Sequence, residues 1–216
     1  MIEKYLKTCA SEIDSISELI QLHMLALSDV KLYKTQIECL NALDKNDNVI
    51  IKKSRMTGTS TILIVYALTH SIINDNSLTV FISTSQQAVK NNIKCFYEIL
   101  DKISDISRHS INVEITNNSQ KIKFSNNSQI QFLHANNIKG ATRQSSCDLV
   151  IVDEAAYMEN FEDIFYSMIS CLVLGGKHIV SSTLPNTNNY FNEIYKRAVR
   201  GNRFVALDLI KDDIHE

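Results

Sequence analysis

The sequence predicts an α/β fold: a mostly parallel sheet covered by helices on both faces, with an antiparallel meander at one edge. Three observations predict it. Short apolar runs of strand length ("NVIIK", "SLTVFIST", "DLVIV", "HIVSST") alternate with longer stretches of helical periodicity, as in strand–helix–strand crossovers. A run such as "DLVIV" is continuously apolar, the kind of strand that a parallel sheet buries on both faces. Between residues 111 and 133, three segments instead alternate with period two, separated by Asn/Ser turns.

The elements follow in order. Residues 11–28 place Ile13, Ile16, Leu19, Ile20, Leu22 and Leu25 at spacings of three and four, which predicts an amphipathic helix. Residues 35–45 predict another, with Ile37, Leu40 and Leu43 on one face. The strand "NVIIK" leads through the loop "KSRMTGTST" into an apolar helix from Thr59 to His70. After the strand at 77–84, Val89, Ile93, Phe96, Leu100 and Ile103 mark a long helix. "INVEI", "QKIKF" and "QIQFL" form the meander, and "DLVIV" (148–152) returns to the interior. A helix around 160–173, the strand "HIVSST", a helix over 189–200 and the strand "RFVALDL" complete the series. The expected organisation is a helical lead-in over 1–30, one domain over 31–210, and a tail over 211–216 that begins a linker.

Composition narrows the function classes. A chain of 216 residues with 44% apolar content can bury a substantial core, and a net charge of −2 excludes a uniformly basic nucleic-acid coat. The five cysteines (Cys9, Cys39, Cys95, Cys147, Cys171) form no CxxC pair, which argues against structural zinc and for reduced core thiols in a cytosolic protein. No apolar run reaches the length of a membrane span, and the N-terminus lacks the order of a signal peptide.

In parallel α/β sheets ligands bind at the carboxyl ends of strands, and three motifs fall there: the 53–60 loop, Asp153-Glu154, and Ser181-Ser182-Thr183. The loop approximates G-x-x-x-x-G-K-[ST], in which backbone N–H groups cradle phosphates ahead of a helix. Gly58 fills the second glycine and Ser60 the hydroxyl that would hold Mg²⁺, so Lys53, Ser54, Arg55, Met56, Thr57, Gly58, Thr59, Ser60 and Thr61 are the candidate ATP-binding residues. Lys53 stands where the first glycine belongs and Thr59 where the lysine belongs. Read alone, the loop is equally a strand-to-helix turn with Thr59 or Ser60 as N-cap. The strand "DLVIVDEAAYM" delivers Asp153, a candidate Mg²⁺ ligand, and Glu154, a candidate general base for an attacking water. The competing reading is an acidic pair at a helix N-terminus. Thr183 can reach a γ-phosphate or the lytic water, or simply end a strand. Gln36 has the amide donor and acceptor to read an adenine edge, with Tyr33 near the base; otherwise the segment is an ordinary helix start capped by Thr35.

Taken together, Gln36, "KKSRMTGTST", "NNIKGATRQSSCDLVIVDEAAYM" and "IVSSTLPNTNNYFNEIYKRA" resemble the N-terminal ATPase of tailed-phage large terminase subunits over residues 30–205. The resemblance implies a P-loop NTPase fold of the ASCE, RecA-like type, with ATP and Mg²⁺ as cofactors. It implies hydrolysis that drives double-stranded DNA into a procapsid. The implied partners are a portal protein, a small terminase subunit and further copies in a ring, and the implied location is the host cytoplasm. By motif, Arg55 resembles the arginine inside the terminase loop and Arg143 the arginine before the acidic strand end; either could act on transition-state charge within or between subunits. Glu154 resembles the catalytic glutamate and Thr183 the coupling residue. Some terminases carry the essential lysine at the loop's start, and Lys53 occupies that position, whereas the strand's alternation turns Lys52 away. A nuclease domain normally follows such an ATPase and is not expected within these residues. DNA contacts are poorly marked; "KRAVRGNR" (196–203) also reads as a solvated helix end. The first RecA-like domain of a superfamily 2 helicase, and a nucleotide-binding module with weak or no hydrolysis, remain alternatives.

Overall fold

The computed structural model describes residues 32–107, 113–115, 120–137, 146–184 and 189–209. The expected lead-in helix, the tail and Arg143 lie outside these residues. Five helices are described: α1 (Lys34–Lys45), α2 (Thr59–Ile73), α3 (Gln86–Ser107), α4 (Phe161–Cys171) and α5 (Tyr190–Val199). Eight strands accompany them: β1 (Asn48–Lys53), β2 (Leu78–Ser83), β3 (Val113–Ile115), β4 (Lys121–Phe124), β5 (Gln129–His134), β6 (Cys147–Asp153), β7 (Leu172–Ser182) and β8 (Val205–Leu209).

One sheet holds all eight in the order β3-β4-β5-β2-β6-β7-β1-β8. β5, β2, β6, β7, β1 and β8 run parallel, while β3–β4 and β4–β5 pair antiparallel. The meander therefore extends the parallel sheet through β5, which pairs with β4 on one side and β2 on the other.

Because successive strand side chains face opposite ways, each central strand feeds two cores. Val49, Ile51, Phe81, Leu149, Ile151 and Ile179 pack against α1, α2 and α3. Ile50, Val80, Ile82, Val150, Val152 and Val180 pack against α4 and α5. This double burial explains the unbroken apolar runs. α2 is buried nearly all round, from Ile62 through Leu68, as expected of a helix covered by α1 and α3 as well as the sheet. Cys39, Cys147 and Cys171 are buried thiols, and Cys95 is half-buried.

Three local expectations are corrected. The strand expected as "HIVSST" begins six residues earlier, directly after α4, and its first part carries Gly175 at φ 83° and an outward-facing Leu174. Glycines and solvent exposure hide that extension from a hydrophobic pattern. Neither Thr59 nor Ser60 caps α2; Gly58, at φ 70°, does. Nor does Thr35 cap α1: the cap is Tyr33, whose N–H donates to Gln36 Oε1 (2.9 Å).

The strand order puts β7 between β1, which ends in the loop, and β6, which ends in the acids. This is the arrangement of an ASCE-type P-loop NTPase. All the motif-bearing strand ends lie on one edge of the sheet. Among the described residues, no helix is long and apolar enough to cross a membrane.

Candidate functional site

β1 and β6 flank β7, so their chain ends are two strand spacings apart, about 10 Å. A lysine stem spans that gap. Lys53 lies on the same pleat face as Val49 and Ile51, under the start of α2, and its ammonium crosses β7 to the acids. Lys53 Nζ donates to Asp153 Oδ1 (2.8 Å) and Ser60 Oγ (3.0 Å), and pairs with Glu154 Oε1 at 3.2 Å. Its side chain is 5% exposed. Lys52 points the other way, pairing with Asp208 and lying 5.7 Å from the centre of the Tyr195 ring.

Asp153 sits at the tip of β6, between three donors on one oxygen. Oδ1 accepts from Lys53, from Ser181 Oγ at 2.7 Å and from the Glu154 N–H at 3.1 Å. Burial alone would push its carboxyl up, but the adjacent Lys53 ammonium and the hydrogen bonds hold it below the usual range. Burial would likewise push the Lys53 ammonium down, and Asp153 and Glu154 reverse this, so its pKa is raised.

Glu154 adopts a left-handed backbone, φ 59°, which costs of order 1–3 kcal/mol in a residue with a side chain. The turn directs its carboxylate sideways, to the end of β7. There Oε2 accepts from the Thr183 N–H (3.0 Å) and from Thr183 Oγ1 (2.9 Å). A one-turn 3₁₀ helix, Ala155–Tyr157, follows. The Ala156 N–H donates to Ser182 Oγ (3.1 Å), and Asn189 Nδ2 donates to the Ala156 carbonyl (3.1 Å).

The loop crosses above this charge cluster. The Ser54 N–H donates to the Leu209 carbonyl (2.9 Å), extending the β1–β8 pairing by one bond. Met56 and Gly58 are both left-handed, at φ 61° and 70°, a backbone alternation that can turn successive N–H groups toward one point. Gly58 is required twice over, because a Cβ there would also lie 2.4 Å from Gln36 Nε2. The Thr57 and Thr59 hydroxyls hydrogen-bond at 2.8 Å, so Thr59 faces into the loop.

A cavity of about 400 Å³ results, within the size range of small-molecule sites. Lys53, all the loop residues from Ser54 to Ser60, Glu154 and Thr183 line it. Asp153 is buried beneath, held by Lys53. Gln36 lies against Gly58 at the side. Arg55 is exposed on the rim, and Thr61 is exposed on α2 outside the lining. Two lining residues, Thr84 and Tyr157, had no assigned role in the sequence. Thr84 could have been found by the strand-end rule that selected Thr183, since it follows β2 directly. Its carbonyl meets His134 Nε2 at 3.0 Å. Tyr157 gave no such signal, because a 3₁₀ turn has no periodicity to read.

The oxygens that converge on the Lys53 ammonium, one hydroxyl and two carboxylates, are hard donors suited to Mg²⁺. Among the described residues no group of three His, Cys, Asp or Glu could hold a metal by itself, which agrees with an ion bound through one or two protein ligands plus substrate phosphates.

Residues 50–184 match the family described as RNA cytidine acetyltransferase NAT10/TcmA, helicase domain, across well over half of the chain. The chain belongs to this helicase-domain family. No curated protein matches it in sequence. Its fold is that of phage large terminase ATPase domains. The ATPase domain of the Thermus phage P74-26 large terminase superposes with a TM-score of 0.67 at 16% identity, covering 88% of this chain and 85% of that one. The HK97 bacteriophage large terminase gives 0.72 at 17% identity, covering 90% of this chain and 44% of that one. The large terminase of a thermophilic bacteriophage, in complex with ATP-gamma-S, gives 0.66 at 15%, covering 86% and 46%. The member of the helicase-domain family described here thus spans most of an isolated terminase ATPase domain and about half of whole large terminases.

Proposed function

We propose that this chain is the ATP-hydrolysing domain of a motor that drives double-stranded viral DNA into a procapsid. The observation that carries the ATPase reading is the Lys53 ammonium, held at 2.8–3.2 Å from Asp153, Ser60 and Glu154 beneath the loop. Loop residues 54–60 would wrap the β- and γ-phosphates, with Lys53 supplying the cation that Thr59 cannot. Ser60 and Asp153 would hold Mg²⁺, which neutralises charge on the phosphate oxygens. Glu154 would accept the proton of the attacking water, and Gln36 with Tyr33 would lie at the adenine end. Arg55 on the rim is placed to reach transition-state charge in this subunit or in a ring neighbour, a role for which Arg143 is the second candidate. Portal protein, small terminase subunit, a ring of copies and action in the host cytoplasm belong to the same proposal.

Favouring a packaging motor over other P-loop enzymes are the "SRMTG" loop with its lysine at the start, the arginine ten residues before Asp153, and the likeness in fold to terminases. The helicase-domain family match favours a second reading, a strand-separating RecA-like domain.

Hydrolysis of ATP with Mg²⁺ is the first test, and Glu154→Gln should lower turnover by about 10²–10⁴ while ATP still binds. An unchanged rate in that variant sinks the enzyme reading. Duplex DNA should stimulate hydrolysis without strand separation; unwinding of a duplex would select the helicase reading instead. If Lys53→Ala turned over like wild type while Arg55→Ala were dead, the lysine assignment would be wrong.

A further inference from the structure

Tyr157 is 45% exposed, so its ring contributes little to the core, yet its hydroxyl is held. The one-turn helix places it: its N–H donates to the Glu154 carbonyl (3.1 Å), and the turn is pinned by Ser182 and Asn189. Its phenolic oxygen lies 3.2 Å from Thr183 Oγ1, which lies 2.9 Å from Glu154 Oε2. Threonine has one hydroxyl proton. A carboxylate can only accept, so that proton belongs to Glu154, and the Tyr157 hydroxyl must donate to Thr183.

The two Glu154 oxygens then differ. Oε2 is saturated by the Thr183 N–H and the Thr183 hydroxyl, whereas Oε1 contacts only the Lys53 ammonium. We propose that Tyr157 is a positioning residue for the hydrolytic step. Its hydroxyl fixes the Thr183 proton on Glu154 Oε2, and so leaves Oε1 as the oxygen that takes the proton from water. The inference rests on the ATPase reading and adds to it the choice of oxygen and the residue that sets it. A chain of donors polarises each successive hydrogen bond, so loss of the first weakens the last. Phenylalanine at 157 would keep the cavity wall and remove one oxygen.

The test is steady-state hydrolysis of ATP with Mg²⁺ by the whole chain, with binding of ATP-gamma-S measured in parallel. Wild type is compared with Tyr157→Phe, Thr183→Val, Thr183→Ser and the double variant Tyr157→Phe/Thr183→Val. Tyr157→Phe should lower kcat about fivefold, the rate equivalent of one neutral hydrogen bond, with KM and ATP-gamma-S affinity within about twofold. In the Thr183→Val background the same change should do nothing, because the acceptor is gone. Thr183→Ser, which keeps the hydroxyl, should restore the dependence on Tyr157. An unchanged kcat in Tyr157→Phe, a loss in affinity in place of kcat, or additive losses in the double variant would each overturn the inference. A wild-type chain that hydrolyses no ATP would overturn the ATPase reading and this inference together; wild-type turnover with an unaffected Tyr157→Phe overturns this one alone.

Discussion

Lys52 and Lys53 are consecutive residues of one strand with the same side chain, and the two faces of β1 give them different work. Lys52 pairs with Asp208 where both side chains are about a third exposed, 31% and 36%. Lys53 pairs with Asp153 where they are 5% and 8% exposed, with Glu154, Ser60 and Ser181 completing the cluster. Water and salt screen the first pair, and its contribution is small. The second pair stabilises little as a whole, because desolvation offsets attraction, but neither partner tolerates loss of the other. The difference teaches that charge at a strand end is structural or chemical according to the pleat face it occupies.

The largest expected effect comes from breaking the buried pair. Lys53→Ala leaves Asp153 buried and uncompensated, which should destabilise the fold by about 3–5 kcal/mol in urea unfolding. Where the variant still folds, hydrolysis should fall by about 10²–10³, by analogy with other preorganised donors. A loss below 1 kcal/mol would mean that Asp153 is wetter than the geometry says.

A middle-sized effect is expected from pH. Asp153 is depressed, so its contribution is present above the unfolded carboxylate value of about 4 and is lost as pH falls through its folded pKa. Lys53 is raised, so its contribution is present below about 10.4 and is lost as pH rises through its folded pKa. The pair is therefore at full strength between about pH 4 and 10. Two buried histidines narrow the acid side: burial lowers His178 to about 3 and His70 to about 4. Both stay neutral when folded, so stability should begin to fall below about pH 6.5, where the unfolded chain takes up protons. Unfolding free energy that stays flat from pH 6.5 to 4 would contradict the burial of both rings.

The smallest effect belongs to Lys52→Ala. Stability should change by less than about 1 kcal/mol, and 1 M salt should abolish even that difference while leaving the Lys53 effect in place. A Lys52 variant as damaged as the Lys53 variant would erase the contrast between the two faces.

Much of this was legible in the chain. The parallel strands announced themselves as apolar runs because both faces are buried, and Asp153, Glu154 and Thr183 stood at their ends. The alternation of β1 separated Lys52 from Lys53 before any coordinates did. Less was legible where no periodicity exists: the early part of β7 around Gly175, the hydroxyl of Thr84, and the turn that presents Tyr157.

The sequence by itself determined which residues end which strands, since local burial and period are written into consecutive side chains. Only the tertiary structure decided that β7 separates β1 from β6, and hence that the Lys53 ammonium bridges about 10 Å to Asp153 across Ser181. That decision is nonlocal. Strand order joins residues a hundred positions apart, and only packing of the whole sheet settles which of them share a buried charge.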